Sequence, residues 1–125
     1  VQDQPVFPGD LAIEERVALA YTAGVVGGKI SLERLVAAAA ENPAKIFGLW
    51  PRKGTIAPGA DADLVVWDPA ARRTLSRQTQ SIATDYNPYE GIDVHGAPEV
   101  VTVRGEIMVR HGQFVGSPGK GRLLL

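Results

Sequence analysis

The chain carries few side chains able to do chemistry, and their spacing is informative. There are two histidines, His95 and His111. Neither belongs to a His-x-His or His-Glu-x-x-His pattern, the spacings that bring two imidazoles onto one metal ion. Val94-His95-Gly96 and Arg110-His111-Gly112 read instead as turns beside strands. Among the carboxylates, Glu14-Glu15-Arg16 falls in the first turn of an expected helix. The helix dipole favours acids there, and Arg16 can pair with them locally. Asp61 and Asp63 flank Ala62 at the mouth of a strand. On paper they form an acid–base pair, but aspartates in such a place bind nearby backbone N–H groups and build the turn. Ser31, Ser76, Ser81 and Ser117 lack a Gly-x-Ser-x-Gly setting and a paired histidine. The run Gly116-Ser-Pro-Gly-Lys-Gly-Arg122 is glycine-rich and basic. It has no strand–loop–helix around it and no Ser or Thr after the lysine, so it reads as a tail and not as a phosphate loop. From its residues alone, the chain holds no complete active site.

The elements that must position these residues follow from period and punctuation. Residues 1–9 read as a loop. Asp10 can N-cap a helix over 11–23, with Gly24 as its stop and Ile13, Val17 and Tyr21 on one face. Ser31 caps a second helix, whose expected buried stripe is Leu32, Leu35, Val36 and Ala39. Asn42-Pro43 restarts the chain as N-cap and first helical residue of a short helix ending by Gly48. Beyond Trp50 the period changes. Thr55-Ile56-Ala57 reads as a short strand. Leu64-Val65-Val66-Trp67 reads as an apolar strand closed by Asp68-Pro69, and Arg72 to Leu75 as another. Residues 76–98 are long, polar and punctuated. Val100–Val103 and Ile107–Val109 read as a hairpin about Arg104-Gly105. His111-Gly112 then turns into a last strand over 113–115. Trp50 and Trp67 are expected in the core. Helices first and strands afterwards predict an α+β arrangement, or the seam between two layers of a larger fold. Few strands with open edges suggest missing partners.

Size and composition narrow the classes. The 125 residues suit one domain or one end of a larger one. A net charge of −1 gives no electrostatic reason to expect nucleic acid or an anionic membrane as partner. Aromatic residues are scattered rather than set in a basic stripe. The apolar runs are far too short to span a bilayer. The chain has no cysteine, hence no disulfide and no thiolate site. No signal peptide opens it and a cytoplasmic location is expected. Val1 is not a plain translation start, so the chain is expected to be a fragment, a processed product or the end of something longer.

The segment Asn42–Pro69, NPAKIFGLWPRKGTIAPGADADLVVWDP, resembles the closing segment of hydantoinases and dihydropyrimidinases, cyclic amidohydrolases of the amidohydrolase superfamily. The resemblance extends over nearly the whole chain. It is carried by Ile13-Glu14-Glu15-Arg16, Tyr21-Thr22-Ala23-Gly24-Val25, Gly28-Lys29-Ile30-Ser31 and Asp85-Tyr86-Asn87-Pro88-Tyr89-Glu90-Gly91. Gly96-Ala97-Pro98, Arg104-Gly105 and Phe114-Val115-Gly116 also fit. No single motif is specific, but their order and spacing together are. Allantoinases share the pattern more loosely.

The resemblance implies an α+β fragment: the last helices of a (β/α)8 metal-dependent hydrolase barrel, followed by C-terminal strands of a composite β-sandwich. Residues 1–52 would be barrel helices, 53–116 sandwich strands with their connecting loop, and 117–125 a tail used in subunit contacts of a dimer or tetramer. The parent would hold two divalent metal ions, usually zinc, through histidines, a carbamylated lysine and an aspartate. A bridging hydroxide would attack the ring amide carbonyl while the aspartate shuttles the proton. All those ligands would lie upstream of Val1, so no catalytic or metal residue carries over. One substrate position does: a loop residue whose backbone carbonyl holds the substrate ring falls at Pro8, or at Gly9 in a shifted register. Proline keeps the acceptor and lacks the N–H. The expected partners are the remainder of the parent chain and a small cyclic amide, and the isolated chain is expected to be inactive. A non-catalytic dihydropyrimidinase-related assembly module, an allantoinase-type hydrolase and an independent small binding domain are the alternatives.

Overall fold

The structure is a computed structural model and describes residues 13–124. Helical segments come first and strands afterwards, as the order of periods predicts. Helix α1 is Arg16–Ala20 and runs directly into a π-helical segment, Tyr21–Val26. Helix α2, Leu32–Val36, continues through a second π-helical segment, Ala37–Glu41, into α3, Asn42–Ile46. Four strands form one antiparallel sheet in the order β1-β2-β3-β4: β1 Val65–Thr74, β2 Asp93–Val103, β3 Glu106–Arg110 and β4 Gln113–Phe114.

The chain divides into two compact units, Val1–Val36 with Pro69–Gly96, and Ala37–Asp68 with Ala97–Leu125. In the first, α1 and α2 both pack on the Tyr21–Val26 segment. Ala18, Leu35, Leu75 and Val94 are its buried apolar side chains. Leu75 and Val94 lie deepest because the chain locks there: Leu75 N–H donates to Ile92 O (2.8 Å), and Gly91 N–H donates to Leu75 O (2.9 Å). In the second unit, Ala44 and Met108 are buried. Leu64 and Thr102 exchange two backbone hydrogen bonds, at 3.2 and 2.8 Å.

Several sequence expectations need correction. The first helix does not stop at Gly24. Widened turns carry it to Val26, with Gly27 N–H donating to Thr22 O (3.0 Å) and Lys29 N–H to Gly24 O (2.8 Å). The expected cap Asp10 lies outside the described residues. Ser31 does cap α2, its Oγ accepting from Arg34 N–H at 3.2 Å. Of the expected stripe only Leu35 is buried, while Leu32 and Val36 are more than half exposed. An α-helix does begin at Asn42 with Pro43 in its first positions, but Glu41 before it is already in helical conformation and holds the cap position, so Asn42 lies inside the helix and not at its cap. The helix does end by Gly48, whose φ of +69° is the left-handed stop that glycine allows.

Thr55-Ile56-Ala57 forms no strand, and Ile56 is 86% exposed. Asp68-Pro69 does not close the apolar strand. β1 runs through it to Thr74, since a proline is tolerated on an edge strand with no neighbour on that side. The two expected strands are thus one. The polar stretch ends earlier than its composition suggested, because β2 begins at Asp93 and passes through Gly96 and Pro98. The two hairpin turns fall where expected. Arg104-Gly105 (φ 50° and 82°) and His111-Gly112 (φ 51° and 73°) both have two left-handed residues, the geometry that matches strand twist in two-residue loops. Trp50 is 40% exposed and not a core residue, with Lys45 Nζ 4.8 Å from its ring centroid.

Candidate functional site

The first unit gathers its buried polar side chains around Glu15. This residue is only 3% exposed, and the local pairing with Arg16 that its place in the first helical turn suggested is not what holds it. It makes no capping bond to its own helix. Instead Arg73 on β1 reaches it, Nη2 to Oε2 at 2.9 Å, across 58 residues of sequence. Burial raises the Glu15 carboxyl above its usual range. Arg73 pulls it back, Glu14 pushes it up, and the Asn87 amide favours the charged form. Glu14 does not take part in a local pair either, because its Oε2 accepts the Ser81 N–H at 2.8 Å.

Asn87 comes from the Tyr86-Asn87-Pro88-Tyr89-Glu90-Gly91 run. Its Oδ1 accepts the Tyr89 N–H at 2.8 Å, which fixes which end of the amide faces the carboxylate. Its Nδ2 and the Arg73 Nε make no hydrogen bond of good geometry among the described residues, although both are buried. The rest of the run is bracing. Glu90 accepts the Ser76 hydroxyl (2.9 Å) and the Arg77 N–H (2.6 Å), contacts that lower its carboxyl. Gly91 takes φ +79°. The π-helical segment adds one more anchor: Thr22 Oγ1 accepts the His95 N–H at 2.8 Å while donating to Ala18 O at 2.7 Å. Arg72–Thr74 and Asp93–His95 line a shallow open cleft of about 450 Å³ in the same unit.

The second unit holds the Asp61/Asp63 pair. Lys53 Nζ bridges both, 2.8 Å from Asp61 Oδ2 and also bonded to Asp63. Arg52 Nε donates to Asp61 at 3.0 Å. Asp63 Oδ1 accepts the Arg104 N–H at 2.7 Å. Lys53 lowers the Asp61 carboxyl. Burial opposes ionisation of Asp63, but Lys53 and the Arg104 N–H win and lower it too. Lys53 is correspondingly raised. Two aspartates held ionised by a shared cation cannot trade a proton near neutral pH. Their part is to tie a turn to the β2–β3 hairpin, as the turn-building reading expects. His95 lies on β2 and not in a turn, while His111 is a turn residue whose Nδ1 is 2.5 Å from Glu99 Oε1. Pro8 and Gly9 lie outside the described residues.

Among the described residues, no group of three or more His, Cys, Asp or Glu side chains could hold a metal ion. The donor set of a two-metal centre therefore does not fit them. What these contacts do among the described residues is hold loops and strands in place. Sequence reasoning missed the Glu15–Arg73–Asn87 cluster. The signal was available only as an acid, a base and an amide set far apart, and nothing local joins them.

The sequence matches the Amidohydrolase family over residues 8–108. The chain belongs to the amidohydrolase family. Within it, this amidohydrolase segment is 50% identical over 114 residues to the D-hydantoinase of Geobacillus stearothermophilus, covering 91% of this chain and 24% of that protein. It is 45% identical to dihydropyrimidinase-related protein 5 of Mus musculus, over 91% of this chain and 20% of that one. The solved D-hydantoinase (dihydropyrimidinase) from Thermus sp. superposes with a TM-score of 0.88 at 57% identity, over 90% of this chain and 25% of that one. The segment thus spans about a quarter of the length of the relatives it matches. No helix among its described residues is long and apolar enough to cross a membrane.

Proposed function

We propose that this chain is the C-terminal portion of a metal-dependent cyclic amidohydrolase, of the hydantoinase or dihydropyrimidinase type, that hydrolyses the ring amide of hydantoins or dihydropyrimidines. The observation that carries this reading is the likeness to hydantoinases in both sequence and backbone, extending over nine-tenths of the chain. On this reading residues 1–52 complete the barrel, 53–116 supply strands of a composite sandwich, and 117–125 serve subunit contacts in a cytoplasmic homo-oligomer. The backbone carbonyl of Pro8 or Gly9 accepts from the substrate ring. On this reading the two divalent metals, zinc for preference, and the carbamylated lysine belong to the remainder of the parent chain. This segment's own contribution is the frame that the substrate loop leaves from.

The test compares the isolated chain with the full-length parent, each supplied with zinc and either hydantoin or dihydrouracil. Ring opening is expected from the parent alone. Turnover by the isolated chain would sink the assignment of the metal centre to the remainder. A metal-loaded parent that opens neither ring would sink the hydrolase reading. A second reading is favoured by the 45% identity to a dihydropyrimidinase-related protein over the same span: a non-catalytic assembly module on the same fold. A parent gene without a His-x-His motif upstream of this segment would select it.

A further inference from the structure

We propose that residues 117–121 form a strap fastened over Met108, and that oxidation of the Met108 thioether by peroxide unfastens it. The strap belongs wholly to the second unit and holds whether or not the parent opens a ring. Met108 is the chain's single methionine. It lies on β3 and is 8% exposed. Its backbone and its side chain both hold the root of the strap. The carbonyl accepts the Val115 N–H at 2.9 Å and the Gly116 N–H at 3.2 Å. The sulfur packs so closely on Gly116 that a Cβ there would sit 2.5 Å from Sδ and 3.3 Å from Phe114 Cε2. Beyond Gly116 the strap shares an apolar groove of about 370 Å³ with Val103, Met108, Val109 and Phe114. A second fastening lies at Lys120. Its carbonyl accepts from the Arg104 guanidinium and its Nζ is 3.1 Å from Glu106 Oε2, so the two residues on either side of Gly105 both hold it. These outer ties are exposed and therefore weak. The hold of the strap rests on its Met108 end.

Sulfur chemistry acts on that end. The groove is many times the volume of a water molecule, so hydrogen peroxide can enter it and reach Met108. The thioether sulfur attacks one peroxide oxygen. An S–O bond forms, the O–O bond breaks, and the second oxygen leaves as water after taking the proton of the first. Sulfur is oxidised by two electrons and peroxide is reduced by two. The product is a polar sulfoxide in an apolar place. The space between Sδ and Gly116 admits no further atom, and the neighbour there is backbone. An added oxygen overpacks the root of the strap. It is also an acceptor whose burial without a donor is costly. The weak ties at Lys120 are what yields, and the strap lifts.

The test exposes the folded full-length parent to hydrogen peroxide, reads the peptide bearing Met108 by mass spectrometry, and follows native-state trypsin cleavage after Lys120. Met108 is expected to gain one oxygen while the protein stays folded. The oxidised protein should then be cut after Lys120 roughly 10-fold faster or more. Met108→Leu, close in volume and inert to peroxide, should keep the slow cleavage before and after treatment. Arg104→Gln combined with Glu106→Gln removes the outer ties alone, and should speed both the cleavage without peroxide and the oxidation of Met108 with it. A Met108 sulfoxide that leaves the cleavage unchanged would overturn the proposal. So would a Met108 that is oxidised only after unfolding, or an equal acceleration in Met108→Leu. Outer-tie variants whose Met108 oxidises no faster would show that the strap does not cover it.

Discussion

Asp63 accepts the backbone N–H of Arg104, 41 residues downstream, at 2.7 Å. The same carboxylate bonds Lys53, so one short side chain ties a turn to the tip of the β2–β3 hairpin. Arg104 has φ +50°, and its N–H faces out of the ladder at the point where the hairpin reverses. Thr102 Oγ1 repeats the tie from the other side, donating to Ala62 O at 2.7 Å.

Asp63→Ala should therefore destabilise the protein by about 1 kcal/mol, the usual worth of a charge-assisted bond discounted for partial exposure. Asp63→Asn keeps an acceptor for the Arg104 N–H and should lose less. Urea unfolding midpoints at constant m-value decide the order. Equal losses would mean that the Lys53 pair, and not the Arg104 bond, carries the effect.

The titrating groups predict opposing pH limbs. Asp61 and Asp63 are lowered when folded, so their contribution is fully present above 3.8 and is lost as pH falls through their folded values. Lys53 is raised, so its contribution is complete below 10.5 and is lost as pH rises through its folded value. Glu15 is also raised and behaves in the opposite sense to the aspartates. Its ionisation costs stability as pH climbs from 4.5 through its folded value. Glu15→Gln should flatten that mildly acidic slope in a Tm-against-pH series and leave the strongly acidic limb intact.

Asn87→Asp should expose the same environment. It keeps the Oδ1 acceptor for Tyr89 but sets a second buried carboxylate against Glu15. Stability should drop by about 1–3 kcal/mol at pH 7 and recover in part near pH 4.5, where one carboxyl can take up a proton. A loss that does not depend on pH would show that the introduced carboxylate ionises away from Glu15.

Two left-handed glycines separate strain from crowding. At Gly105 an added Cβ would sit 3.9 Å from Ala62 Cβ, so Gly105→Ala should cost about 1 kcal/mol from backbone strain alone. At Gly54 the Cβ would meet Ala44 Cβ at 2.6 Å and Ala40 O at 2.8 Å. Overpacking adds to strain there, and Gly54→Ala should cost about 2–4 kcal/mol. Thermal melts of the two variants side by side check the ranking.

What the sequence could tell was local. The Ser31 cap, the stop at Gly48 and the turns at Arg104-Gly105 and His111-Gly112 were legible because a side chain or a missing Cβ acts within a few residues of itself. The family was legible for a related reason: motifs in a fixed order along the chain need no third dimension to be recognised. Long-range pairing decided the rest. Pro69 could not end β1, because an edge strand has no partner awaiting the missing N–H. Gly24 could not end the first helix, because widened turns absorbed it. Glu15 read as an acid favoured by the helix dipole, with Arg16 as its local partner. Only the tertiary structure brought Arg73 and Asn87 to it, since the free energy of a buried charge depends on neighbours that sequence spacing leaves unspecified.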